Sequence, residues 1–261
     1  MPQVSEITVY PIKSLSGISL SQAMVQPRGL QFDRRWMLVE ADGSFITQRD
    51  DPSLVRFKVS LTEQGLEVSA PDFLPCPIPF QGEGRDMHVR VWNSELPATM
   101  VSDHVDAWFS AALGRQCHLV AMPEDASRTI NPAFGDSPVS FADAMPILVL
   151  SEASLQDLNE RLEQPVPANR FRANILVRGL KAFEEESITQ IAVGNLVLQP
   201  TKRCGRCLVT CTDQTTGERG TEPLRTLAKY RTFNNNACMG MYFFATSTGS
   251  LNVGDQLIIS N

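Results

Sequence analysis

Val55, Phe57, Val59 and Leu61 alternate with Arg56, Lys58 and Ser60, the period of a strand with one buried face. Met87, Val89 and Val91 repeat the pattern. Short apolar runs at Trp36–Val39, Ile147–Leu150, Ile175–Val177, Ile191–Leu198, Tyr242–Ala245 and Leu257–Ile259 predict further strands. The turn dipeptides Asp42-Gly43, Gly194-Asn195 and Gly254-Asp255 fall between such runs, as hairpins require. Spacing this short favours antiparallel pairing, because parallel neighbours need a crossover of a dozen or more residues.

Three segments switch to helical spacing. Asp103–Leu113 sets Val105, Trp108, Phe109 and Ala112 on one face, and Gly114 can end it. Ser151–Glu163 carries Leu155, Leu158 and Leu162 as a stripe, with Ser151 as N-cap. Thr221–Tyr230 takes Thr221 as cap, Pro223 in its first turn, and Leu224 and Leu227 facing inward. Between the first two helices, Pro123–Pro138 is polar, proline-rich and without period, so it reads as a long loop and as the division between residues 1–122 and 123–261. The expected fold class is mainly β with α (α+β): an antiparallel, barrel-like core joined to an N-terminal β-rich domain, with few short helices.

Composition narrows the functions. At 261 residues, with 43% hydrophobic and 20% charged, the chain can bury a core and is not disordered. A net charge of −6 argues against a general nucleic-acid or anionic-membrane binder, so any anionic ligand must meet a local basic pocket. No apolar run approaches the roughly 18–20 residues of a membrane span, and the first residues lack a secretory pattern. A cytoplasmic protein is expected.

Of six cysteines, Cys204, Cys207 and Cys211 lie close together, which points to metal or redox chemistry more than to a disulfide frame. Arg203 and Arg206 flank them, and nearby positive charge favours a thiolate, a soft ligand for a transition metal. Several readings stay open on the residues alone. Buried thiols near a turn are one; a zinc site adding Cys238 is another, though a second C-x-x-C is missing. An iron–sulfur cluster wants other spacings. A thioredoxin-like site should open a helix, whereas Leu208-Val209-Thr210 reads as strand. Basic residues also sit near strand ends at Lys13, Arg34, Arg35, Arg49, Arg170 and Arg172. Surface charge is the ordinary explanation for any one of them. His88, His104 and His118 fall in or near regular elements and read as packed or surface side chains, so no proton donor is assigned.

Taken in order, Tyr10-Pro11-Ile12-Lys13-Ser14, Phe32-Asp33-Arg34-Arg35-Trp36, Ser151-Glu152-Ala153-Ser154-Leu155, Phe171-Arg172-Ala173-Asn174 and Cys204-Gly205-Arg206-Cys207 resemble the MOSC-domain proteins that carry an N-terminal MOSC β-barrel domain. Val253-Gly254-Asp255 fits as well. That family includes bacterial N-hydroxylated-compound reductases and the mitochondrial amidoxime-reducing component, and the resemblance spans nearly the whole chain. It implies a barrel-like MOSC core and a molybdenum cofactor, a phosphate-bearing pyranopterin with dithiolene-bound molybdenum; pyridoxal phosphate is not expected. Cys207 matches the family's metal-ligating, catalytic cysteine. Gly205 and Arg206 match pterin contacts, and Lys13, Ser14, Arg34 and Arg172 match other cofactor contacts. Arg35, Arg49 and Asn174 rest on weaker matches.

The implied activity is reduction of amidoximes, hydroxylamines and N-hydroxylated base analogues, with the N–O bond broken and water released. With no G-x-G-x-x-G fingerprint after a strand, electrons are expected from a separate reductase of flavoprotein, ferredoxin-like or cytochrome type. The partners implied are that donor and a small substrate, with no nucleic acid and no membrane span. A non-catalytic cofactor-binding protein and a sulfur carrier with a persulfide on Cys207 are the alternatives. Phe141-Ala142-Asp143-Ala144-Met145-Pro146 lacks the hydroxyl residues that mitochondrial members carry there, so only backbone N–H groups are expected to serve at that segment. The ferredoxin-like domain of some longer relatives is not expected, since the chain stops at Asn261.

Overall fold

The computed structural model describes residues 1–126 and 128–260; Ser127, inside the expected loop, and Asn261 lie outside the described residues. Strands dominate, as the alternation predicts. The largest sheet runs Ile258–Ser260, Gln190–Val193, Leu196–Gly205, Asn236–Ala245, Ile147–Ser151, Ile175–Arg178, Gln3–Val9, Ile18–Leu20. The first strand of the chain therefore lies inside a sheet built mainly from its second half. Gln22–Gln26 repeats this stitching by pairing with Gly249–Asn252. Both contacts tie residues near the N-terminus to the second half of the chain.

Within the large sheet one pair is parallel: Ile147–Ser151 with Ile175–Arg178. The connection between them is long enough for a crossover and contains helix α2 (Glu152–Asn159). The other described pairings between named strands are antiparallel.

Trp36–Val39 shows why an unbroken apolar run marks a strand covered on both faces. It pairs with His118–Ala121 in a four-stranded sheet. Trp36 and Leu38 join a core with Phe57, Phe109 and Leu119, while Met37 and Val39 join another with Val89, Val91 and Phe141. Each side chain so buried contributes roughly 1.5–3 kcal/mol. A three-stranded sheet, Lys58–Leu61, Gly65–Ser69 and Cys76–Pro79, closes the first of these cores.

Helix α1 (Asp103–Leu113) begins where the Ser102 hydroxyl accepts from the Val105 N–H at 3.3 Å and ends on Gly114 at φ 67°. Helix α2 is capped by Ser151, whose hydroxyl accepts from the Ser154 N–H at 3.0 Å, and is shorter than its leucine stripe predicts. Helix α3 (Leu224–Tyr230) departs from expectation at its start: Thr221 makes no side-chain cap, and the Glu222 carboxylate accepts from the Thr226 N–H at 3.0 Å.

Two strand expectations also change. Val55 sits in a 3₁₀ turn, Pro52–Arg56, because the Asp51 carboxylate accepts from the Ser53 N–H and Pro52 fixes the first turn; the strand starts at Lys58. Leu208–Cys211 is likewise 3₁₀, held by the Thr210 N–H and hydroxyl, which both donate to the Cys207 carbonyl. No helix among the described residues is long and apolar enough to cross a membrane.

Candidate functional site

A cleft of about 810 Å³ opens between the two halves of the chain. Every matched cofactor position lines it: Lys13, Ser14, Arg34, Arg172, Gly205, Arg206 and Cys207. Arg49 and Asn174 line it too. Residues more than 190 positions apart are thus brought to one surface.

The backbone is unusual where the cleft forms. Ser14 (φ 72°), Arg34 (φ 50°) and Arg172 (φ 52°) all adopt left-handed conformations. Such residues cost of order 1–3 kcal/mol each and persist only where surrounding bonds over-determine them. Here those bonds are visible. The Ser14 carbonyl accepts from Gln48 Nε2 at 2.5 Å. The Arg34 N–H donates to the Tyr10 carbonyl at 2.8 Å, and the Arg172 N–H to the Asn169 carbonyl at 3.2 Å. On the other side, the strand Leu196–Gly205 slips register against Asn236–Ala245 at Pro200/Arg203 and again at Arg203/Gly205. Bulges of this kind re-aim side chains and end pairing, and Cys207 follows at once.

Asp33 is fully buried and holds one wall. Its Oδ1 accepts from the Tyr10 N–H at 2.8 Å and from Asn174 Nδ2 at 3.0 Å; its Oδ2 accepts from Arg34 Nη1 at 2.5 Å. Asn174 also donates to the Thr8 carbonyl and accepts from the Leu148 N–H and Arg34 Nη1, which uses its whole amide. Asn174 therefore fastens strands together behind the cleft and has no free valence for a ligand.

Asp143 anchors the second wall. Its two carboxylate oxygens pair with Lys13 and Arg49. Burial opposes its ionisation, yet Lys13 and Arg49 hold the carboxyl well below the usual carboxylate range. Burial pulls Lys13 down to about 8, with Asp143 acting the other way. Burial also opposes the charge of Arg49, but Asp143 and the Cys207 sulfur more than offset it. Arg49 lies over the Trp92 ring, 4.8 Å from its centroid.

The cationic side chains are not all paired. Among the described residues, Arg172 has no carboxylate partner; its Nη1 donates to the Leu15 carbonyl at 2.7 Å and its guanidinium lies over the Tyr10 ring. Burial lowers it to about 10. An unpaired guanidinium in a cleft favours an anionic ligand.

The cysteines of the segment differ in exposure. Cys204 and Cys207 both line the cleft, but Cys207 is half-buried, while Cys204 is buried and takes the Arg206 Nη1–H at 2.7 Å. Arg206 Nη2 donates to the Phe171 carbonyl at 2.6 Å, and its Nε is buried without a partner among the described residues. Cys211 turns away, its Sγ 3.4 Å from the Thr221 carbonyl. No group of three or more His, Cys, Asp or Glu among the described residues is placed to hold a metal, so the four-cysteine zinc arrangement does not assemble.

Several site residues carried no role in the sequence reading. Asp33 and Tyr10 stood inside quoted motifs, but their contacts are long-range. Asp143 was visible only as a departure from a hydroxyl pattern. Trp92, at a hairpin turn with φ 56°, gave no signal beyond an aromatic residue. Arg35, one of the weaker matches, does not line the cleft and donates to Gln26 Oε1 at 3.0 Å. None of the three histidines lines it; His118 instead pairs through Nδ1 with Asp106 at 2.7 Å.

Comparison with known proteins matches residues 1–116 to the MOSC N-terminal beta barrel domain and residues 136–258 to the MOSC domain. Mitochondrial amidoxime reducing component 2 of Bos taurus is 33% identical over 97% of this chain and 82% of its own length. Mitochondrial amidoxime-reducing component 1 is 34% identical in Mus musculus and 30% in Homo sapiens, each over 98% of this chain and 82% of the relative.

Proposed function

This chain belongs to the family that joins a MOSC N-terminal β-barrel domain to a MOSC domain, and from that premise we propose that it is a molybdenum-cofactor-dependent oxidoreductase reducing N-hydroxylated compounds. Amidoximes are the substrate class in the relatives' names; hydroxylamines and N-hydroxylated base analogues share the N–O bond. The same reading divides the chain into an N-terminal unit of residues 1–122 and a MOSC unit of residues 123–261.

The observation that carries the reading is the pairing of one half-buried thiol, Cys207, with a facing wall in which cations outnumber carboxylates. Three features fit a phosphate-bearing pterin held by a thiolate. Among the described residues Arg172 has no acidic partner, and Arg206 Nε is buried with no hydrogen-bond partner. Gly205 needs no special φ, and a Cβ there would meet Asn236 in ordinary contact, Cβ at 3.4 Å, Cγ at 3.6 Å and Oδ1 at 3.7 Å. Gly205 lines the cleft without a side chain to narrow it, which leaves room there for a bound group.

In this reading Cys207 presents its sulfur to the metal, with Arg49 close enough that the sulfur supports the arginine's charge. Lys13, Arg34 and Arg172 supply positive charge to the phosphate, with Ser14 beside them. Gly205 and Arg206 border the pterin. When bound, the cofactor supplies the two-electron chemistry that cleaves the N–O bond. The protein binds and orients; the electrons come from a separate reductase of flavoprotein, ferredoxin-like or cytochrome type.

The test is metal and pterin content, with reductase assays on N-hydroxylated compounds, for protein from a host that makes the cofactor. We expect near one molybdenum per chain, turnover with a suitable reductant, and loss of both in Cys207→Ser with the fold intact. Bound cofactor without turnover would leave a carrier; labile sulfur without molybdenum would leave a sulfur-transfer protein. Either result overturns the oxidoreductase reading.

A further inference from the structure

Two guanidiniums lie against one buried ring. Tyr10 is 3% exposed, and its ring centroid is 4.6 Å from Arg34 Cζ and 4.1 Å from Arg172 Cζ. The arginines are close to each other, since Arg34 Nη2 donates to the Arg172 carbonyl at 3.3 Å and each charge disfavours the other. Their mutual repulsion has to be offset. Asp33 neutralises Arg34, but no carboxylate reaches Arg172 among the described residues. What supports Arg172 is the Leu15 carbonyl and the face of Tyr10.

We propose that Tyr10 is a positioning residue, holding Arg34 and Arg172 as a clamp for a phosphate monoester, and that Gly17 is the gap that admits its ring. The argument turns on the choice of an aromatic support over an acidic one. A carboxylate would consume the charge it positions. A neutral ring attracts a guanidinium through its quadrupole and leaves the charge available to an anion. Tyr10 stays neutral, because burial pushes its phenol up to about 12. The hydroxyl contributes little, since its one hydrogen bond among the described residues, to the Ala173 carbonyl, is 3.4 Å long. The ring is what acts.

Gly17 gives an independent handle. A Cβ at that position would stand 2.6 Å from Tyr10 Cε1 and 3.0 Å from Cδ1. Its φ is not in the left-handed region, so the backbone accepts alanine and the clash falls on the ring and on Thr8 Cγ2. Gly17→Ala therefore disturbs the ring without altering either arginine or the tyrosine.

Placing this clamp on the cofactor's phosphate rests on the function proposed above; the clamp itself does not. The first arm uses protein from a host that cannot make the cofactor. Its thermal stabilisation is measured against inorganic phosphate at constant ionic strength and fixed pH, for wild type, Tyr10→Phe, Tyr10→Leu and Gly17→Ala. Wild type and Tyr10→Phe should respond alike. Tyr10→Leu and Gly17→Ala should need about tenfold more phosphate for the same shift, as expected for loss of two cation–ring contacts. A purely structural role would lower every melting temperature at zero phosphate and leave the phosphate increment intact. Should Tyr10→Leu not fold, Gly17→Ala against Tyr10→Phe carries the comparison. Equal increments throughout, no response in wild type, or a loss in Tyr10→Phe as large as in Tyr10→Leu would each overturn the clamp.

The second arm measures molybdenum and pterin phosphate per chain in a cofactor-making host, in the same four proteins. The expected order is that of the first arm. A normal phosphate pattern with no pterin in wild type keeps the clamp and removes the molybdenum reading. Full pterin retention in both Tyr10→Leu and Gly17→Ala removes the clamp and keeps that reading.

Discussion

Asp33 and Asp143 support two parts of one cleft from the same ingredients, a carboxylate and arginine or lysine. They do different work because they are buried differently. Asp33 is fully enclosed and meets three donors, of which only Arg34 is charged. That assembly is electrically closed and fixes shape. Asp143 has a side chain 38% exposed and meets two cations, Lys13 and Arg49, so one positive charge remains over. That assembly is open and sets the field of the cleft. The geometry of the site therefore depends on the wall that offers least charge to a ligand.

Removing Asp33 should give the largest effect. Asp33→Ala leaves Arg34 without its acid and strips an acceptor from the Tyr10 N–H and from Asn174. Breaking one member of a buried pair typically costs about 3–5 kcal/mol. For a chain this long that is a fall in Tm of roughly 10 °C, read by thermal unfolding. A fall below about 2 °C would mean that Asp33 is not the anchor and would erase the contrast with Asp143.

Asp143→Asn should act on charge more than on stability. Asp143 is partly exposed although Lys13 is buried, so its loss should cost less than that of the enclosed Asp33. Lys13 can also shed its proton instead of remaining charged and unpaired. Asp143 favours the charged lysine, so its removal lowers Lys13 below its wild-type value of about 8. Sulfate suits this test, because its charge is constant across neutral pH. Stabilisation by sulfate should weaken in wild type as pH rises through about 8, and at lower pH in the variant. The stability profile has the opposite sign on the alkaline side. Lys13 titrates lower folded than unfolded, so the unfolded chain binds more protons between about 8 and its ordinary value, and this group adds stability as pH rises through that window. Asp143, held low in the fold, adds stability above its ordinary range and loses it as pH falls beneath. Identical sulfate profiles in the two proteins would place the controlling charge elsewhere.

The contrast between the walls also shows what sequence can and cannot display. Trp36–Val39 and the Ser151 cap are local: an apolar run and a hydroxyl before a helix act on their own neighbours, so their elements follow from the residues. Where local signals competed, the nearer bond won, as at Pro52–Arg56, where the Asp51 cap and Pro52 overrode the alternation. The matched motifs named the cleft's lining, but not the means that assemble it. Arg34 and Arg172 adopt left-handed backbone that arginine seldom takes, and the Arg34 N–H bond to Tyr10 and the Arg172 side-chain bond to Leu15 reach across the chain to hold them. Asn174 joins segments from Thr8 to Leu148 through one amide, and no spacing in the chain records that. Asp143 departs from the hydroxyl pattern at its position, and its value as an ion-pair hub appears only once Lys13 and Arg49 are beside it.

The smallest effect is expected at Arg35, and it tests whether the two walls are the whole account. Arg34 and Arg35 are adjacent and alike in charge, and the resemblance matches Arg34 to a cofactor contact and Arg35 only weakly. In the fold the first turns into the cleft and the second away from it, to Gln26 Oε1. Burial lowers Arg35, and its charged neighbour Arg28 lowers it further. Arg35→Ala therefore loses one hydrogen bond and relieves a like-charge contact, two changes of opposite sign. The Arg35 carbonyl, which accepts from the Met122 N–H at 2.8 Å, is untouched by the substitution. Stability should stay within about 0.5 kcal/mol of wild type. The sulfate response and the metal content should not change. A weakened sulfate response at unchanged Tm would show that the field of the cleft reaches through the strand to its far side, and Arg35 would then have to be counted with Lys13 and Arg49.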